Sequence, residues 1–137
     1  MSRKEHWQPD PDPHDFPAAA DYLSMLLPAD AVAEVVEQLR QAPLTHHKAK
    51  DLVRAGRLPL LPVKDPEVAR DLKKVDRGQR LSPVLLVRGD LTLDVPLTVA
   101  DGYHRICASY HLDEDGEIPC RIADWPGRMR SVKRAPA

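Results

Sequence analysis

Aromatic side chains are scarce in this chain: two Trp, three Tyr and one Phe make up 4% of its 137 residues. A protein that grips single-stranded nucleic acid by stacking bases on aromatic platforms needs more than this, so the composition argues against that class. The core must instead be built from Leu, Val, Ile and Ala. Cysteine is equally sparse. Cys107 and Cys120 stand thirteen apart, with no CxxC pair and no histidines at ligand spacing, which predicts two reduced core thiols and no zinc or other metal centre. No apolar run nears the roughly 20 residues of a membrane helix, and MSRKEHWQPDPDPHDFP holds no apolar signal core. These absences predict a soluble, cytoplasmic protein without a membrane partner. The motifs GxxxxGK[ST], GxSxG and HExxH are also missing.

What is present is a globular composition, 42% hydrophobic and 30% charged, in a chain long enough for one compact domain. Net charge is −1, so the molecule as a whole has no electrostatic reason to adhere to nucleic acid. The charge is unevenly spread: residues 1–39 sum to −6, residues 40–80 to +6 and residues 81–137 to −1. A basic middle third suits an anionic ligand or partner, and also a solvated helix face.

Proline and aspartate alternate through residues 1–16, removing backbone donors and predicting an extended, disordered tail. Residues 17–43 predict a helical pair. Pro17 suits a first turn, and Tyr22, Leu23, Leu26 and Leu27 form one apolar stripe, ended by Pro28. Val32, Val35, Val36 and Leu39 then recur at helical spacing until Pro43. The stretch THHKAKDLVRAG suits a short strand followed by a short helix capped by Gly56, and LPLLP an extended connector. Asp65-Pro66-Glu67 is a helix start with an acceptor at the N-cap, and Val68, Leu72 and Val75 are its inward stripe. Pro83–Val87 reads as a buried strand, Leu97–Ala100 as a second, and Ile118–Ile122 as a last one. The helix between the last two turns Ile106, Cys107 and Tyr110 inward. A basic tail, 125–137, follows. The sum is an α+β fold, a small mixed sheet with flanking helices behind an N-terminal helical pair.

One segment carries chemistry: Val99-Ala100-Asp101-Gly102-Tyr103-His104-Arg105. A strand ends, a glycine permits a tight turn, and a helix begins with His and Arg in its first turn. Unpaired amides at a helix start attract anions, and an arginine can fork two phosphate oxygens. The same pattern also fits a plain strand-to-helix turn with Asp101 as N-cap and two surface cations. Lys48 and Lys50, on one side of an extended segment, are further candidates for a phosphate, while adjacent His46 and His47 point apart and make a poor metal pair.

The order strand–ADGYHR–helix–IPCRIA, with Leu81–Val87 ahead of it, resembles the ParB/sulfiredoxin superfamily over about residues 44–124. Members carry a Gly-x-x-Arg or Gly-Cys-His-Arg motif between a strand and a helix. There it binds nucleotide phosphates: ATP in sulfiredoxins, CTP in ParB-type partition proteins, ADP in free serine kinases. The resemblance implies phosphate contacts from Gly102, His104 and Arg105, with Mg²⁺ as a possible companion. It also implies a catalytic carboxylate if there is phosphoryl transfer or hydrolysis, for which Asp51 and Asp101 are the candidates. Tyr103 stands where sulfiredoxins place their reactive cysteine, which argues against sulfinic acid reduction. The short tail after residue 124 predicts none of the centromere binding that a following helix-turn-helix domain gives the partition proteins. The expectation is a domain that binds a nucleotide or phosphorylated ligand. The alternative is a non-catalytic regulatory module whose N-terminal helices dock a protein partner, with DNA binding or nuclease activity third.

Overall fold

The computed structural model describes residues 5–126; of the expected basic tail, 125–137, Trp125 packs against the core and residues 127–137 lie outside the described residues. Among the described residues, five helices surround a four-stranded mixed sheet. In chain order the elements are α1 (Asp15–Leu23), α2 (Ala29–Gln41), β1 (Thr45–Lys48), α3 (Ala49–Gly56), α4 (Pro66–Asp76), β2 (Val84–Val87), a 3₁₀ turn (Leu91–Leu93), β3 (Thr98–Asp101), α5 (Tyr103–Leu112) and β4 (Glu117–Ala123). The sheet order is β1-β4-β2-β3. β2 runs parallel to β4 and antiparallel to β3, and β1 pairs antiparallel with β4.

Helices cover both faces of the sheet, so the inner strand β2 is apolar at all four positions and each of them is buried. Leu85 and Val87 pack with Ala100 and Ala123 against Phe16, Ala19 and Leu23 of α1 and the valine stripe of α2. Val84 and Leu86 face the other way, onto Leu52 of α3, Ile106 of α5, Ile118 and Cys120. α4 lies outside α5, with Val68 and Leu72 against Cys107 and Ala108. Asp65 caps α4 as its sequence predicts, its carboxylate accepting from the amides of Glu67 and Val68 at 3.1 and 3.0 Å.

Three expectations need correction. Residues 6–16 are not a disordered tail. Trp7 packs into the α3–α5 core, residues 6–8 form a one-residue bridge with Leu81, and Asp15 and Phe16 already belong to α1. Pro9 lies on a bend and Pro13 in a turn rather than on an extended path, and Gln8, between the prolines and Trp7, supplies the amide that bonds Leu81 O at 2.8 Å. The first helix turns Phe16, Ala19 and Leu23 inward and ends at Leu23, so Tyr22, off that face, and Leu26, past the end, are half exposed. Gly56 is the last residue of α3; the left-handed cap falls on Arg57 at φ 53°.

Arg121 of β4 ties three elements together. Its Nη1 donates to Leu39 O and Arg40 O in the last turn of α2, at 3.2 and 2.7 Å, and its Nη2 meets Asp10 at 3.0 Å. A cation there satisfies end-of-helix carbonyls and sits at the favourable pole of the dipole. Arg121→Ala is expected to cost about 2 kcal/mol, because those carbonyls lose a charged donor. Urea unfolding should show this loss, together with faster amide exchange in residues 10–15.

Candidate functional site

β3 ends on a bulge. Asp101 pairs with Leu85 but Val99 with Leu86, which leaves Ala100 as an extra residue and changes the direction of Asp101. Gly102 follows at φ 110° as the N-cap of α5 and has no side chain to cap it, so the expectation of Asp101 as N-cap is not met. The first amides of α5 therefore have no side-chain acceptor at the cap. Glycine is demanded twice here. The left-handed backbone favours it, and a Cβ would lie 2.5 Å from Val84 Cγ1 and 2.9 Å from Arg105 Nη2.

Arg105 is turned back beneath this turn rather than out to solvent. Its Nη2 donates to Asp101 Oδ2 at 2.9 Å and to Pro83 O at 3.4 Å, and its Nε is buried without a protein partner. Both side chains of the Asp101–Arg105 pair are more than four-fifths buried. Burial pushes the Asp101 carboxyl above its ordinary range, and Arg105 pulls against that shift without cancelling it. Asp71 of α4, itself buried, is also raised by desolvation, opposed by Lys74, Arg105 and His104.

His104 is partly exposed, its Nε2 4.0 Å from the Asp65 carboxylate. Tyr103 occupies the reactive-cysteine position of the resembled motif and acts there as a tether: its hydroxyl donates to Pro59 O at 2.5 Å. With His111 Nε2 at 2.7 Å from Leu61 O, it staples the LPLLP connector along α5.

In front of the turn lies a groove of about 490 Å³. Gly102, Tyr103 and His104 form one side, Tyr22 and Leu26 another, and Leu58 and Pro96 contribute as well. Tyr22 and Leu26 escape sequence reasoning because helical spacing assigns them to the core; Tyr22 instead lies off the buried Phe16–Ala19–Leu23 face, and the early end of α1 releases Leu26. No carboxylate lines this groove among the described residues.

The remaining candidates lie elsewhere. Lys48 and Lys50 both pair with Asp115, at 3.9 and 2.6 Å, in the turn after α5. The length of α5, about 15 Å, separates that turn from Gly102. Asp51 is exposed, faces Arg54 at 3.6 Å, and opens on a smaller groove with His47 and Arg88. Cys107 and Cys120 are buried free thiols. Burial pushes both up, Cys120 to about 12, which leaves them protonated and unreactive. Asp12, His14 and Asp15 bring potential ligand atoms within 4.8 Å of one another. The buried Asp15 carboxylate already accepts from the Asp12 amide at 3.0 Å and closes the first turn of α1.

Two consequences are measurable. Arg105→Ala strands Asp101 without its cation and should cost about 3 kcal/mol at neutral pH, seen as a large fall in the Tm of the unliganded protein. Asp101→Asn added to it should recover part of that loss. The second concerns pH. A carboxyl raised in the folded state binds its proton more tightly there than in the unfolded chain. Its contribution is therefore full below the unfolded value and is lost as pH rises through the folded one. Asp71→Asn should raise Tm at about pH 7, and its advantage should shrink as pH falls toward the ordinary aspartate value of 3.8.

Comparison with protein-family models, curated proteins and solved structures finds no match to this chain, so the ParB/sulfiredoxin resemblance rests on its own residues.

Proposed function

We propose that this is a ParB/sulfiredoxin-like domain that binds a nucleotide or another phosphorylated ligand in the groove before α5. The observation that carries the reading is the glycine N-cap: α5 starts with no side-chain cap, and Gly102 lies in the groove wall. A phosphate there meets the first-turn amides and the positive pole of the helix, with His104 at its side. The apolar body of the ligand lies on Tyr22, Leu26 and Leu58. Arg105 acts from behind, holding Asp101 and the turn in shape, rather than forking the phosphate.

Binding without turnover is favoured within this reading, which is the regulatory-module alternative. Asp101 is committed to Arg105, Asp51 opens on a different groove, and among the described residues no lining residue supplies a carboxylate as a general base.

Thermal shift with ATP, ADP and CTP, each with and without Mg²⁺, tests the reading. At a hundredfold excess over Kd the bound nucleotide should stabilise the fold by about 2.7 kcal/mol. His104→Ala should weaken binding about tenfold while leaving the unliganded Tm close to wild type. If no nucleotide moves Tm or shifts the amide resonances of residues 102–105, the reading fails. Turnover that Asp101→Asn abolishes without loss of affinity would restore the enzymatic alternative.

A further inference from the structure

A second concavity, of about 340 Å³, opens between the end of α3 and the β2–β3 hairpin. Three arginines and one carboxylate line it: Arg54 and Arg57 at the carboxyl end of α3, Arg88 just after β2, and Asp90, whose Oδ1 accepts from the Thr92 amide and hydroxyl. Leu91, Val95 and Pro96 of the hairpin supply an apolar wall. Residues 40–80 carry the basic excess of the chain, and the groove before α5 absorbs none of these arginines.

The backbone distinguishes this cluster from an ordinary solvated helix end. Among the described residues, two non-glycine positions have positive φ, Arg57 at 53° and Asp94 at 57°. They are partners: Arg57 Nη2 donates to Asp94 Oδ1 at 2.6 Å. A helix usually ends this way on glycine, and here Gly56 stands one residue too early. An arginine held where glycine is cheaper places its guanidinium at the pocket mouth at a cost in backbone energy. The hairpin is closed tightly beneath it, since a Cβ on Gly89 would lie 2.5 Å from Val95 O. Arg88 is oriented by Asp124 at 2.9 Å. Leu91 on the rim is 89% exposed, an apolar surface suited to contact with a ligand body.

We propose that this pocket binds a small multivalent organic anion, a molecule bearing several phosphate or carboxylate groups on an apolar body. One oxyanion replaces Asp94 as the acceptor for Arg57. The exposed Arg57–Asp94 pair is weakly held, and the guanidinium has a second edge to offer a ligand. Arg54, which lines the same pocket and faces Asp51 in an exposed pair at 3.6 Å, takes a further oxygen. The body rests on Leu91, Val95 and Pro96. Pro96 and Leu97 border both this pocket and the groove before α5, but the arginines line this one alone, so the two proposals fail separately.

Pyrophosphate and citrate, titrated at matched ionic strength and followed by amide chemical shifts, are the probes. Whichever binds more tightly identifies the acid group. Saturable shifts are expected at Arg57, Leu91 and Asp94. Arg57→Gly removes the side chain while suiting the left-handed backbone, so Tm without ligand should hold or rise while affinity falls about tenfold or more. Arg70→Gln, an equal charge change on the exposed face of α4, should bind as wild type. The proposal is overturned if neither probe saturates, if shifts are confined to residues 102–104, or if both variants lose affinity equally.

Discussion

The helices on both faces of the sheet meet on β2. Its four side chains alternate between two cores, Leu85 and Val87 toward α1 and α2, Val84 and Leu86 toward α3 and α5, and none reaches solvent. Because β2 is flanked by β3 on one edge and β4 on the other, its backbone is fully engaged as well. The strand therefore fixes where β3 ends, and with it where α5 begins. Val84 even sets the chemistry of the turn: its Cγ1 occupies the space that a side chain at residue 102 would need.

That crowding changes the meaning of the glycine. A strand-Gly-helix turn is commonly a device for bringing backbone close to a ligand. Here the glycine serves packing first, letting Val84 and the Arg105 guanidinium come close beneath the backbone. The groove side of the turn is shaped as a by-product, with an uncapped helix start and His104 beside it. Arg105 and Asp101 hold the turn from inside as a buried pair whose desolvation leaves Asp101 raised even beside its cation. A buried pair of this kind is a weak source of net stability but a costly thing to halve, so it specifies one geometry for the turn.

The N-terminal region is part of this machinery. α1 and α2 seal one face of the sheet, and Tyr22 and Leu26, at and just past the end of α1, wall the groove before α5. Residues 6–8 lie beside Leu81, and Arg121 clasps Asp10 and the end of α2. Trp7 packs on the core beneath α3 and α5, and α1 and α2 on the core of the opposite sheet face.

Periodicity in the sequence was enough to determine the elements. The valine stripe of α2, the Asp65 cap and inward face of α4, the apolar run of β2 and the turn at Gly102 all follow from residue type and spacing, because local geometry dictates which side chains share a face. Even the i,i+4 spacing of Asp101 and Arg105 stands in the sequence. Their pairing there was hidden, since a strand-to-helix turn does not obey helical geometry, and only a bulge in β3 brings the two together. Tertiary structure alone decided the rest. It decided that Lys48 and Lys50 answer Asp115, that Asp51 opens on its own groove, that Tyr103 ties down a connector, and that Tyr22 and Leu26 belong to the groove wall rather than the core. It also gave the left-handed cap to Arg57, one residue past the glycine that local preference favours. The physical reason is common to all of these. Which polar group meets which depends on how the layers stack, and stacking is a property of the whole core, not of any window of neighbouring residues.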